Sequence, residues 1–243
     1  MGDQGLLLEF GDEISPEIHH RVRTMALTIE ARAIPGVVET VPTYRSLLVL
    51  YDPLTISLAA LKERLREIEQ APLETSLPEP RLCRIPVLYG GSYGPDLQGV
   101  AQYHGITEEE VVRLHCSRPY LVYLIGFMPG FPYMGELPSE LITPRLKTPR
   151  LVVPAGSVAI AQRQTGIYPM DSPGGWHLLG KTPVRMFDPK KDPPSYLRMG
   201  DLVKFYPISE KEFEERNEWE GHTAERRAQS VWRRKMQDRH AES

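Results

Sequence analysis

The chain has 243 residues, 41% of them hydrophobic and 25% charged, with a formal net charge of -3. That size permits one large or two modest domains, the composition excludes a disordered chain, and the near-balanced charge gives no reason to expect a nucleic-acid partner. The 23 prolines favour a loop-rich β architecture over a helical bundle.

Leu6 to Phe10 is a short apolar run and reads as a strand. Ile18, Val22, Met25, Ala26 and Ile29 recur at helical spacing, so an amphipathic helix is expected over Pro16 to Ala33. Gly36 ends that unit. Val37 to Val41 and Ser46 to Tyr51 read as strands, and Leu58, Leu61, Leu65 and Ile68 mark a second helix with a charged outer face. The order β-α-β-β-α suits a small α+β domain, residues 1–80, with helices on one face of a sheet. Residues 71 to 81 hold three prolines and few apolar groups, the composition of a linker.

A second domain, residues 81–208, is expected to start with a strand at Arg84 to Leu88. The cluster Gly90-Gly-Ser-Tyr-Gly94 reads as a turn. Asp96 is placed to cap a helix carrying Leu97, Val100 and Ala101, and Thr107 with Glu110 forms a capping box before Val111 and Leu114. Tyr120 to Ile125 is strongly strand-like. Beyond it come only short strand candidates: Leu151 to Val153, Ser157 to Ala161, Val184 to Phe187 and Asp201 to Tyr206. Turn signals separate them, a spacing that points to a β-barrel or sandwich. From Ser209 to Ser243 the tail is first acidic, then basic, and reads as a charged, solvated helix.

Cys83 and Cys116 form neither a CxxC nor a zinc spacing, so two reduced, partly buried thiols are expected. The N-terminus lacks the pattern of a signal peptide, and no apolar stretch approaches the ~20 residues that span a bilayer. A cytoplasmic protein without a membrane partner is the default. The histidines make no metal set; His19, His20, His104 and His115 read as helix surface or core residues.

The most distinctive segment runs from Gly126 to Thr182. Glycine and proline at this density fix an irregular backbone, and interleaved Tyr, Trp, Phe, His and Arg suit a wall of loops around a small ligand. Within it, Gly175-Trp-His-Leu-Leu-Gly-Lys-Thr182 fits the phosphate-loop pattern GxxxxGK[ST]. That pattern needs a strand before it and a helix after it, so that backbone N–H groups face the phosphates. Here Ser172-Pro-Gly precedes it and Pro183 follows, so a turn leading into a strand is the expectation. Pro154-Ala-Gly-Ser157 is no nucleophile elbow. Arg145, Lys147, Arg150, Arg163 and Lys181 gather around the segment, and any that turns inward would suit a carboxylate or phosphate. Asp171 is the carboxylate best placed to join them.

Gly126-Phe-Met-Pro-Gly-Phe-Pro-Tyr-Met-Gly135, Pro149-Arg150, Val153-Pro-Ala-Gly-Ser-Val-Ala-Ile-Ala161, Gln164-Thr-Gly-Ile-Tyr-Pro169 and Ser172-Pro-Gly-Gly-Trp-His-Leu-Leu-Gly-Lys-Thr-Pro183 together resemble the 5-oxoprolinase B-subunit family. The family is also called KipI-like or allophanate hydrolase subunit 1. The resemblance covers roughly residues 5 to 208. It implies a cyclophilin-like β-barrel after the α+β domain. It also implies action with the A and C subunits of 5-oxoprolinase in the ATP-dependent opening of 5-oxoproline to L-glutamate, with Mg²⁺ beside the phosphoryl group and little activity of this chain alone. Family members carry Arg where Lys181 stands, which accounts for the phosphate-loop lookalike. On this resemblance His177 and Lys181 are the candidate catalytic groups. Phe127, Pro129, Phe131, Tyr133, Arg163, Gln164, Tyr168 and Trp176 are the candidate substrate-binding residues, and no metal ligands are assigned. Some family members resemble protein inhibitors of a sporulation histidine kinase, the alternative function. A carboxyltransferase role would need other chains, and prolyl isomerisation does not follow from the barrel alone.

Overall fold

The structure, a computed structural model, describes residues 3–70 and 77–216. Its first unit contains β1 (Gly5–Glu9), α1 (Pro16–Arg32), β2 (Val37–Pro42), β3 (Ser46–Tyr51) and α2 (Leu58–Gln70). The strands form an antiparallel sheet in the order β1-β3-β2. Alternation along β3 buries Leu47, Val49 and Tyr51 against Val22, Met25, Ala26 and Ile29 of α1 and Leu61, Leu65 and Ile68 of α2. Ser15 caps α1 by accepting the Ile18 N–H at 3.1 Å. Leu58, expected on the inner stripe of α2, is 42% exposed, because the buried stripe begins one turn later at Leu61.

The second unit contains β4 (Leu82–Tyr89), α3 (Leu97–His104), α4 (Glu108–His115), β5 (Tyr120–Ile125), β6 (Pro132–Gly135), β7 (Arg150–Val153), β8 (Ser157–Ala161), β9 (Gln164–Ile167), β10 (Ser172–Gly174), β11 (His177–Lys181) and β12 (Leu202–Pro207). Seven of these strands close a barrel in the order β11-β4-β12-β5-β6-β9-β8, while β7 and β10 form a separate two-stranded flap. The barrel is sealed by a parallel ladder from Leu82↔Leu202 to Val87↔Pro207. Its interior is apolar, with Ile85, Val87, Val122, Met134, Val158, Ile160, Ile167, Leu179, Val203 and Phe205 joined by Leu97, Val100 and Ala101 of α3 and Val111 of α4. Among the described residues no helix is long and apolar enough to cross a membrane.

Several expectations are corrected. Val184 to Phe187 is not a strand; only Phe187 bridges Ser195, and Met186 plugs the core without joining a ladder. The Gly/Pro segment is not mainly loop, since it supplies β6, β9, β10 and β11. Gly175 to Thr182 is not a turn: residues from His177 to Lys181 form β11. Asp96 stands at the α3 N-cap but makes no side-chain cap bond, because its carboxylate is engaged elsewhere. The Thr107 capping box is half formed: Thr107 accepts the Glu110 N–H, while the Glu110 carboxylate turns to Arg113. Residues 77–81 carry no regular structure, and the rest of the expected linker, 71–76, lies outside the described residues. The tail begins a helix at 210–216; its remainder, residues 217–243, also lies outside them.

One directed hydrogen-bond chain crosses the barrel core. Thr165 Oγ1 donates to the Ala159 carbonyl at 3.1 Å, so the contact of 2.9 Å with His115 Nε2 requires the imidazole to donate. Nδ1 is then the acceptor for the Tyr89 hydroxyl at 2.7 Å. His115 is fully buried, and burial pushes its pKa down to about 3. At the contact between the two units, His19 Nε2 donates to the Tyr123 carbonyl at 2.8 Å, and burial pushes its pKa down to about 4.

Both values lie below the ordinary 6.5, so the unfolded chain binds more protons than the folded one between those limits. The stability these rings contribute is complete above the unfolded value and is lost as pH falls toward the folded ones. Unfolding free energies from urea melts should be nearly flat above about pH 7 and should fall, from about pH 6.5 to about pH 4.5, by up to about 1.4 kcal/mol per unit for each ring. His19→Gln should remove one ring's share of that slope; an unchanged slope would refute the assignment.

Candidate functional site

The barrel wall beside the flap is buried on both faces. Along β8, Val158 and Ile160 point into the barrel, while Ala159 and Ala161 point outward into a second cluster with Phe131, Val153, Tyr168, Trp176 and Leu178. Register aligns Tyr133, Gly166, Ala159 and Leu178 in one row across β6, β9, β8 and β11. The two central members are small, and the rings lie over them. A Cβ at Gly166 would come within 2.9 Å of Phe131 and 3.0 Å of Trp176, so only glycine admits both rings.

Phe131 meets Trp176 edge-on at 5.6 Å and Tyr168 edge-on at 5.1 Å, and Tyr133 meets Trp176 at 5.8 Å. Such pairs each add about 0.5–1.5 kcal/mol beyond the area they bury. The flap covers this cluster through Val153, leaving Leu151 and Val152 outside, 88% and 61% exposed. An ion pair holds it: Arg150 donates to Asp96 at 2.6 Å, and Asp96 also receives the Leu178 N–H at 2.7 Å. Burial raises the Tyr168 hydroxyl above the usual phenol range, opposed by the Trp176 backbone N–H.

The first unit contributes to the rim. Tyr44, in the β2–β3 turn, accepts a hydrogen bond from Gln164 Nε2 and lies 5.5 Å from Tyr123 and 6.0 Å from Tyr133, ring to ring. Arg145 rides over Trp176 with its guanidinium carbon 6.0 Å from the ring centre. Sequence reasoning missed Tyr44, since nothing in a lone Thr43-Tyr44 turn signals contact with a strand 120 positions away.

Phe131, Tyr133, Tyr168 and Trp176 come together with Gln164 at their edge. Phe131, Tyr168 and Trp176 are packed into the cluster rather than lining an open cavity, being 2%, 2% and 5% exposed. Phe127 projects outward, 69% exposed with φ of 69°, and touches the cluster through Phe131 at 6.0 Å; Pro129 is exposed beside it. Arg163, at the β8–β9 hairpin tip, is taken by Glu136 at 2.8 Å. His177 and Lys181 lie at opposite ends of β11, four positions apart and thus roughly 13 Å along the strand. His177 Nε2 donates to the Pro144 carbonyl at 2.8 Å. Asp171 does not join the cations but accepts the Ala155 N–H at 2.7 Å. A concavity of ≈ 300 Å³ lies apart from this face, between Arg32, Ile34, Pro35, Arg64, Glu67 and Ile68.

The phosphate-loop match has a different cause. At Gly180 a Cβ would come within 2.4 Å of the Leu88 carbonyl, so the glycine serves the β11–β4 pairing that closes the barrel. No helix follows Thr182 directly; the backbone there is irregular as far as β12. Among the described residues no three His, Cys, Asp or Glu side chains stand close enough to hold a metal.

The chain matches the family described as carboxyltransferase domain, subdomain C and D, over residues 1–197. It is 41% identical over 227 residues to the B subunit of 5-oxoprolinase from Bacillus subtilis (strain 168), an alignment covering 88% of this chain and 93% of that protein. The crystal structure of TTHA0988 is similar, with a TM-score of 0.75 at 41% identity over 85% of this chain; the match spans 40% of that longer one. The K. lactis urea amidolyase shares the fold, with a TM-score of 0.71 at 23% identity over 88% of this chain and 15% of its own.

Gly166→Ala should displace Phe131 and Trp176 and lower stability by about 1–3 kcal/mol, with loss of near-ultraviolet circular dichroism. Gly99→Ala, in open space on α3, should cost nothing and gain up to about 1 kcal/mol. Equal melting temperatures for the two variants would contradict the packing described for Gly166.

Proposed function

The chain belongs to the 5-oxoprolinase B-subunit family, and from that premise we propose that it is the B component of an ATP-dependent 5-oxoprolinase, opening 5-oxoproline to L-glutamate together with the A and C components. The observation that carries this is 41% identity sustained through 93% of the Bacillus subtilis protein. The seven-stranded barrel is cyclophilin-like in this reading, and residues 1–80 and 81–208 act as two domains sharing one ligand face.

That face is the aromatic cluster with its polar rim. Phe127, Pro129 and Tyr133 present the apolar wall, Phe131, Tyr168 and Trp176 back it from within, and Gln164 and Arg163 stand along its edge. Such a wall excludes water from one side of a small lactam, while a partner chain covers the other. The exposed apolar surface of Phe127, Leu151 and Val152 supports that cover. His177 donates Nε2–H to the Pro144 carbonyl, so the neutral ring keeps its lone pair on Nδ1. That atom is the acceptor for a proton from the attacking water. Lys181 is a point charge for an anion at the far end of β11.

ATP and Mg²⁺, implied by the family, meet no phosphate loop and no acidic cage among the described residues. In this reading the aromatic face takes the lactam, and the complex as a whole couples that lactam to nucleotide hydrolysis. Purified chain combined with the A and C components should release glutamate from 5-oxoproline with ATP turnover. Omitting the chain should lower the rate at least about 100-fold, on the scale of losing a positioned catalytic group. Absence of glutamate from the complete mixture would overturn the reading.

A further inference from the structure

Five cations surround the ligand face in sequence, and the structure separates them by what they touch. Arg150 is committed to Asp96 and Arg163 to Glu136. Lys181 stands at the far end of β11 from Trp176, and Lys147 makes no ion pair among the described residues. Arg145 alone of the five stacks on the aromatic cluster, and among the described residues no carboxylate lies within ion-pair distance of it. An unopposed guanidinium within cation–π distance of a tryptophan ring is an anion receptor positioned by that ring.

Its neighbours complete the receptor. Tyr44 already accepts from Gln164, so its own hydroxyl proton remains to be given. Tyr133, ring-to-ring with both Tyr44 and Trp176, makes no hydrogen bond through its hydroxyl among the described residues. Burial raises both phenols above their usual range, so both stay protonated donors, and the positive charge of Arg145 is felt at each. The patch thus offers three donor groups and, in the Gln164 side-chain carbonyl, an acceptor beside them.

We propose that Arg145, with the hydroxyls of Tyr44 and Tyr133, anchors a carboxylate on the ligand, while the Gln164 carbonyl receives the adjacent ring N–H. In 5-oxoproline the carboxylate-bearing carbon is bonded directly to that nitrogen, so one edge of the ligand presents both groups. The assignment of that ligand rests on the chain acting as the B component, whereas the preference for a carboxylate beside an N–H does not. Because Tyr44 belongs to the first unit and the other three residues to the second, the ligand bridges the two.

The test uses two readouts on wild type, Arg145→Gln, Arg145→Lys and Tyr44→Phe. In the reconstituted complex, Arg145→Gln should raise KM for 5-oxoproline roughly tenfold to a hundredfold, the worth of a charge-assisted pair. kcat should change far less, and Arg145→Lys should recover part of the loss. In parallel, the full chain is titrated with 5-oxoproline and with 2-pyrrolidinone, the same lactam without the carboxylate, following the Trp176 indole signal by NMR. Wild type should prefer the carboxylate, and Arg145→Gln and Tyr44→Phe should erase or weaken that preference. An inactive wild-type complex would overturn the enzymatic reading while the titration still decides the anchor. An unchanged preference in Arg145→Gln, or no binding of either lactam by wild-type chain or complex, would overturn the anchor itself.

Discussion

Burial of the β8–β9 wall on both faces is the constraint around which the second unit is arranged. A barrel strand with solvent outside alternates apolar and polar residues. Here β8 is buried at every position, so something must cover the outer face. The cover is aromatic, and it fits only because Gly166 and Ala159 keep the wall thin beneath it. The flap then lies over the rings, and the Arg150–Asp96 pair fastens it to β11 and to the start of α3. Asp96 forgoes its helix-capping bond in consequence. A local rule of helix chemistry gives way to the demands of the outer cluster.

Much of the first unit was legible in the sequence because its periods are long and clean. Ile18 to Ile29 keep helical spacing over three turns, and Ser46 to Tyr51 holds an unbroken apolar run of strand length, whose burial alternates in the sheet. The barrel was harder to read for a physical reason. Strands such as Gln164–Ile167 and His177–Lys181 have four and five residues and carry the glycines that close approach requires. Glycine there serves pairing and ring packing, but in sequence it has the look of loop and even of a phosphate site. The opposite error occurred at Val184 to Phe187, whose apolar residues fill the core from irregular backbone.

The ligand face was legible by residue type and not by arrangement. Aromatic residues among glycines and prolines pointed to Phe131, Tyr133, Tyr168 and Trp176, and these do meet. Sorting Arg145 from Arg150 and Arg163 required knowing that Asp96 lies beside one and Glu136 beside another, 54 and 27 positions away. Tyr44 needed the docking of one unit on the other, which no local pattern encodes.

The ladder between β4 and β12 has a kinetic meaning. Arg81 and Asp201, paired at its entrance, are 120 positions apart. The first strand of the barrel waits for the last, so closure is a step of high loop entropy that local helices and hairpins cannot accomplish alone. During synthesis the first unit can assemble behind the ribosome while β4 still presents an unpaired edge. That edge stays exposed until Leu202 to Pro207 have emerged, which makes it the segment of the nascent chain most open to mispairing.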